Sequence, residues 1–218
     1  MSTESIKLSA KTEKVYREIS QVETKLGDLR KIAKAIKRDH EMALELWATG
    51  EMNARLLAIL IMDARLLTES LLDQLDKDMQ QLDYDDKLLL ADWLLANQLS
   101  KNKKTVALIE SWEHAESPLK RRLYWYHQAR LRWMGKTDQT NTEELLTSIE
   151  TNLLNVAPEV QWAMNYTAGQ IGKWQVKYRD RCIAIGENTG LYRDEVVAKG
   201  CTPSYLPKFI PIEVAKIK

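Results

Sequence analysis

Apolar residues recur along most of this chain at intervals of three and four, the period of an amphipathic helix. The clearest case is Asp39–Met62, DHEMALELWATGEMNARLLAILIM. Asp39 stands where an N-cap belongs, ahead of the pairs Met42/Leu46 and Ala43/Trp47, which share one face. Gly50 falls where a left-handed residue ends a helix. Asn53 is placed to cap a second helix, whose Leu56, Leu57, Leu60 and Ile61 again lie on one side. A lone helical hairpin cannot bury both apolar faces, so the pattern requires neighbours of the same kind.

The chain supplies them. Residues 1–20 carry a weak period (Ile6, Val15, Tyr16, Ile19) and read as a frayed start followed by a helix. Residues 21–37 form a stronger amphipathic helix, with Val22, Leu26, Leu29, Ile32, Ala33 and Ile36 inward and Lys25, Arg30, Lys31, Lys34 and Lys37 outward. Helix starts recur at Asn53, at Asp83–Asp86, at Ser117–Pro118 and at Ala157–Pro158. Steps of 32, 33 and 40 residues separate Asn53, Asp85, Pro118 and Pro158. Two helices per unit at that period predict HEAT-like repeats. Antiparallel helix pairs in a bundle are the rival arrangement. A helix around Tyr178–Asn188 should end at Gly190 and Tyr192. The segment KGCTPSYLPKFIPIEV (Lys199–Val214) reads as loop, with a short terminal helix over 208–217. The expected fold is all-α: HEAT-like helical hairpins stacked into a curved α-α superhelix. One domain should span 1–218, with a loop-rich tail over 199–218.

Composition supports the helices. Only 8 Gly and 5 Pro in 218 residues argue against a turn-rich β chain. The opening residues are polar and charged, unlike a secretory leader. No apolar run is long enough to span a bilayer. Cys182 and Cys201 form no metal pattern and read as free thiols in a reducing, cytoplasmic setting. His40, His114 and His127 lack metal-ligand spacing, so no metal and no cofactor are expected. The net charge of +1 conceals blocks. Residues 61–98 hold 3 basic and 9 acidic side chains, and residues 99–136 hold 9 and 3. Residues 137–172 hold none and 5, and residues 173–218 hold 9 and 5. Such blocks present a basic face or are merely solvated helix surfaces.

The stretches DHEMALELWATGEMNARLLA, ADWLL, VQWAMNY and LYRDEVVAKGCTPSYLP together resemble the AlkD-type DNA alkylation repair family, over about Leu26–Ile212. The resemblance implies helical repeats presenting a basic face to duplex DNA. It also implies cleavage of the N-glycosidic bond of cationic alkylated purines, without the deep base pocket that glycosylases usually use. Alkylation makes the base a good leaving group. The protein then needs an anion near the deoxyribose and aromatic faces that favour a cation.

Asp92 is the candidate anion, a single carboxylate in the apolar helix KLLLADWLLANQL. The family carries a Trp four residues before its catalytic Asp; Leu88 stands there in this chain. Trp93 is the adjacent aromatic, and Tyr166 falls where the family has a second active-site Trp. A structural Asp paired to an arginine competes with the catalytic reading. Arg122 matches the family's backbone-gripping arginine and lies in PLKRRLYWYHQARLRWMGK with Lys120, Arg121, Arg130 and Arg132. Lys101, Lys103 and Lys104 add a basic cluster after the Asp92 helix. The expected partner is duplex DNA, bound by a monomer that acts as a DNA glycosylase. The alternative is a non-catalytic helical-repeat scaffold for DNA or a protein.

Overall fold

The computed structural model describes residues 7–20, 24–133 and 139–217. Ile6, Val22 and the Met134–Lys136 end of the basic stretch lie outside the described residues. The rest divides into two compact units, residues 1–110 and 111–218.

The first unit holds α1 (Ala10–Ser20), α2 (Leu26–Ile36), α3 (His40–Ala48), α4 (Met52–Ile61), α5 (Glu69–Gln80), α6 (Tyr84–Asn97) and α7 (Lys103–Glu110). Helices α2, α4 and α6 pack side by side as one layer; α1 and α3 lie against α4, and α5 against α6. The Asp39–Met62 hairpin is present as α3 and α4. Asp39 caps α3 by accepting from the Met42 N–H at 3.1 Å. Gly50 turns the chain with φ +80°, a conformation that costs glycine least. Asn53 is not the cap of α4. Glu51 holds that position and Asn53 lies inside the first turn, because the helix resumes at once after the glycine.

Side chains pin these hairpins together. Trp47 of α3 donates to Asp78 of α5 at 2.7 Å. Gln98, buried just past α6, donates its amide to the Ile59 and Met62 carbonyls at the C-terminal end of α4. Helix ends leave such carbonyls without intrahelical partners, so this contact joins neighbouring hairpins by their polar ends.

The second unit holds α8 (Pro118–Trp133), α9 (Thr142–Asn152), α10 (Pro158–Trp174), α11 (Arg179–Thr189) and α12 (Leu206–Ala215). Pro118 and Pro158 both open helices, where a missing N–H costs nothing. Helices α8, α10 and α12 form one layer, with α9 and α11 against α10. Thr167 of α10 reaches the Trp125 carbonyl of α8 at 2.7 Å.

Arg132 is fully buried, and among the described residues its hydrogen bonds go to neutral acceptors. Nε donates to Gln175 at 3.2 Å, Nη1 to the Gln128 carbonyl at 3.0 Å, and Nη2 to Asn141 at 3.2 Å and Thr142 at 3.0 Å. Burial pulls its pKa down to about 10, so it remains a cation at neutral pH. Arg132 is thus an interior cross-brace, unlike the half-buried Arg130 on the same helix.

The tail is more ordered than its prolines suggest. Helix α12 packs on α10 and α11 because glycines clear the way. A Cβ at Gly186 would stand 2.8 Å from Leu206 Cβ and closer still to Pro207 Cδ; one at Gly172 would meet Ile210 at 2.6 Å. Glu213 of α12 accepts from Lys173 of α10 at 2.9 Å, from Thr202 at 2.8 Å and from Lys216 at 2.6 Å. Burial alone would raise this carboxyl, but the donors from Lys216, Lys173 and Thr202 outweigh it and hold its pKa at about 2. Its folded pKa is thus depressed below the usual 4.5. The stability it contributes is present in full above that value and is lost as pH falls from 4.5 towards 2. Glu213→Gln should therefore weaken the chain by about 1–2 kcal/mol at pH 6 and much less near pH 2.5. Urea unfolding at the two pH values measures this, and an equal loss at both would refute the assignment.

The two cysteines differ. Cys182 is buried, with burial pushing its thiol up to about 12, whereas Cys201 is exposed. Neither is disulfide-bonded. No described helix is long and apolar enough to cross a membrane.

Candidate nucleic-acid interface

Helix α8 carries Arg122, Tyr126 and Arg130 at successive intervals of four, one stripe along the helix. Helix α10 brings Trp162 and Tyr166 to it, again four apart. The two rings stack nearly parallel, with centroids 5.1 Å apart and planes 9° apart. Tyr126 meets both edge-on at 5.8 Å. Phe209 of α12 closes the far end against Tyr166 at 6.0 Å. The result is an aromatic wall built by three helices of the second unit.

Arginines bracket this wall. The Arg122 guanidinium lies 4.7 Å from the Trp162 ring and 5.8 Å from Tyr126. Nη1 of Arg122 donates to the Glu159 carbonyl in the first turn of α10, at 3.2 Å. Arg122 is 4% exposed, so it braces the wall from within rather than from the open surface. Arg130 is only half-buried, its guanidinium 5.5 Å from the exposed Trp133 ring. Its Nε is buried and has no hydrogen-bond acceptor among the described residues. Burial pushes the Tyr166 hydroxyl up to about 12, with Tyr126 adding to the shift and Arg130 opposing it. Tyr166 is therefore a neutral donor, and Arg130 lies near enough for its charge to be felt there.

The other predicted residues are placed elsewhere. Arg121 follows a different side of α8, about 100° from Arg122, and lines a separate cleft. Lys120 extends over Trp112 at 5.4 Å. In the first unit, Lys101 lies on a single turn after α6, and Lys103 and Lys104 open α7; all three are exposed. Asn102 caps that helix, accepting from the Lys104 N–H at 2.9 Å. Asp92 sits half-buried in α6. Trp93 turns inward, donating its indole N–H to the Leu56 carbonyl at 3.1 Å under the Arg30 guanidinium, which lies 4.5 Å from its ring. That contact uses the ring for packing between α6 and α4.

Tyr126, Trp162 and Phe209 complete the wall. The i, i+4 spacing of Arg122, Tyr126 and Arg130, matched by Trp162 and Tyr166, marks two facing stripes. Phe209, the only phenylalanine in the chain, lies in the short terminal helix expected over 208–217. Among the described residues, no group of three His, Cys, Asp or Glu side chains converges to hold a metal ion.

Helical hairpins each packed on the next are the architecture of HEAT-like helical repeats. The chain belongs to the DNA alkylation repair enzyme family, whose model matches residues 17–183. A solved structure is also similar, described as a new family of proteins related to the HEAT-like repeat DNA glycosylases with affinity for branched DNA structures. The two share 21% identity with a TM-score of 0.67, over 95% of this chain and 89% of that one. At this identity the likeness shows the fold. No curated protein matches the chain in sequence.

Proposed function

We propose that this protein is a DNA-binding repair factor that grips the sugar–phosphate backbone with the α8–α10 face of its second unit. The observation that carries this reading is the Arg130 Nε, a buried donor with no acceptor among the described residues, beside the Trp162–Tyr166 stack. A phosphate oxygen satisfies that donor, and an arginine fork fits phosphate better than water does. The stacked rings and the Trp133 face offer apolar surface to deoxyribose or to an unstacked base. Lys101, Lys103 and Lys104 supply further phosphate contacts in the first unit, of the kind that position a protein on DNA without reading sequence. Family membership supports DNA as the partner. Arg130→Ala should weaken duplex binding by about tenfold and lower the salt dependence by about one phosphate. Anisotropy titrations across salt concentrations measure both, and unchanged affinity and slope would sink the proposal.

A second reading adds chemistry: hydrolysis of the N-glycosidic bond of cationic alkylated purines, with Asp92 stabilising the developing sugar cation. Its support is the half-buried carboxylate in the otherwise apolar run 88–96 of α6. Leu88 stands where the family places a Trp, and Trp93 is engaged by Leu56 and Arg30, so the aromatic contribution beside Asp92 is reduced. Release of 7-methylguanine from methylated duplex DNA decides it. Activity that falls at least about a hundredfold in Asp92→Asn supports hydrolysis. Equal release by both proteins removes Asp92 from the mechanism, and release by neither leaves binding as the function. Comparing a plain duplex with a four-way junction tests whether the branched-DNA affinity of the similar protein extends to this chain.

A further inference from the structure

Away from the aromatic wall, the second unit contains a cleft of about 360 Å³. From α8 it is lined by Arg121 and Trp125, one turn apart. From α10 come Val160 and Met164, which with Trp125 make an apolar floor. The opposite rim is polar: Ser148 and Asn152 of α9, and Asn155 in the turn that follows. Glu113 enters from the segment before α8, already accepting from the Tyr124 hydroxyl at 3.0 Å. The Nε of Arg121 is buried without a hydrogen-bond acceptor among the described residues.

We propose that this cleft holds a single nucleotide, with its phosphate on Arg121 and its base between the apolar floor and the asparagine rim. The volume lies within the range of about 300–1,000 Å³ typical of small-ligand sites, far more than an inorganic anion needs. A phosphate oxygen gives the stranded Arg121 donor an acceptor, in the charge-assisted geometry that a guanidinium favours. Asn152 and Asn155 each present a donor and an acceptor, the combination that pairs with the edge of a purine. The Glu113 carboxylate is an acceptor for an exocyclic amine. Trp125 and Met164 are 2% and 1% exposed, so they give the base a narrow apolar contact from below rather than a stacking face. The nucleotide comes either from the free pool or from a strand in which one nucleotide is unpaired; both present the same phosphate, sugar and base edge. The cleft is distinct from the Arg130 face, since Arg121 lies on another side of α8.

The test is calorimetric titration of the full chain with dAMP, deoxyadenosine and inorganic phosphate. It is paired with anisotropy on a duplex carrying one extrahelical adenosine and on the same duplex fully paired. Saturable dAMP binding, about tenfold or more tighter than deoxyadenosine or phosphate, supports a nucleotide site fed from the free pool. Preference for the extrahelical adenosine supports an unpaired strand nucleotide as the source. In either arm, Arg121→Ala should abolish the preference and leave the affinity for fully paired duplex unchanged. The double variant Asn152→Ala, Asn155→Ala changes two exposed rim positions. It should reduce dAMP to the affinity of phosphate, and it provides a readout should Arg121→Ala fold poorly. Neither dAMP binding nor extrahelical preference in the wild type would overturn the proposal, as would phosphate binding as tightly as dAMP or full retention of binding by both variants. The dAMP arm does not depend on duplex binding, so it can fail or succeed separately from the Arg130 result.

Discussion

Arg132→Ala should destabilise the protein by about 3–5 kcal/mol, the largest single-residue effect expected here. Deletion opens a cavity in a packed interior and removes a charged donor from the Gln128 carbonyl, Gln175, Asn141 and Thr142. For a chain of this length the melting temperature should fall by roughly 10 °C. Arg132→Lys should recover only part of the loss, because a compact ammonium cannot span acceptors arranged around a planar fork. Thermal melts of the three proteins supply the comparison. A loss below about 1 kcal/mol in the alanine variant would mean that the cage is solvated and the account wrong.

Gly186→Ala should be the second-largest effect, about 2–4 kcal/mol, and it should be localised. The added methyl group cannot be absorbed by a flexible side-chain end. It meets the Leu206 Cβ and the Pro207 ring, both close to the backbone of α12. The helix has to shift away from α11, which breaks the Lys173–Glu213 pairing and uncovers Phe209. Limited proteolysis should therefore cut the variant first between residues 195 and 206, while the wild type is cut there slowly. Identical cleavage rates would show that α12 does not depend on this close approach.

How far the sequence can be read is shown by particular residues. Asp39 and Gly50 announced the α3–α4 hairpin because capping and left-handed turns are local chemistry, decided within a few residues. Asn53 misled for the same reason: a good capping residue stands two places inside the helix, and Gly50 had already set where α4 begins. The period of roughly 30–45 residues revealed the repeat, since each hairpin must bury an apolar face against the next. The basic stretch on α8 was legible as a cluster but not as a surface. Arg121, Arg122, Arg130 and Arg132 are chemically alike, and only packing sends the first to a cleft, the second under an aromatic wall, the third to its rim and the fourth to the interior. Trp93 illustrates the same gap, because its partner carbonyl lies 37 residues away on α4. The tail helix was only half visible. Its prolines signal loop, while the glycines that admit it sit on other helices.

Helix α10 touches α8, α9, α11 and α12, as α4 touches α1, α2, α3 and α6 in the first unit. During synthesis each unit therefore waits for its central helix. In the first, α1, α2 and α3 emerge before α4, against which all three pack. In the second, α8 and α9 emerge before residues 158–174, against which both pack. Until that segment follows, Leu123, Leu146 and Ile149, all buried in the finished fold, have no native surface to rest on. This interval in translation is when the nascent chain is most open to chaperones and to aggregation.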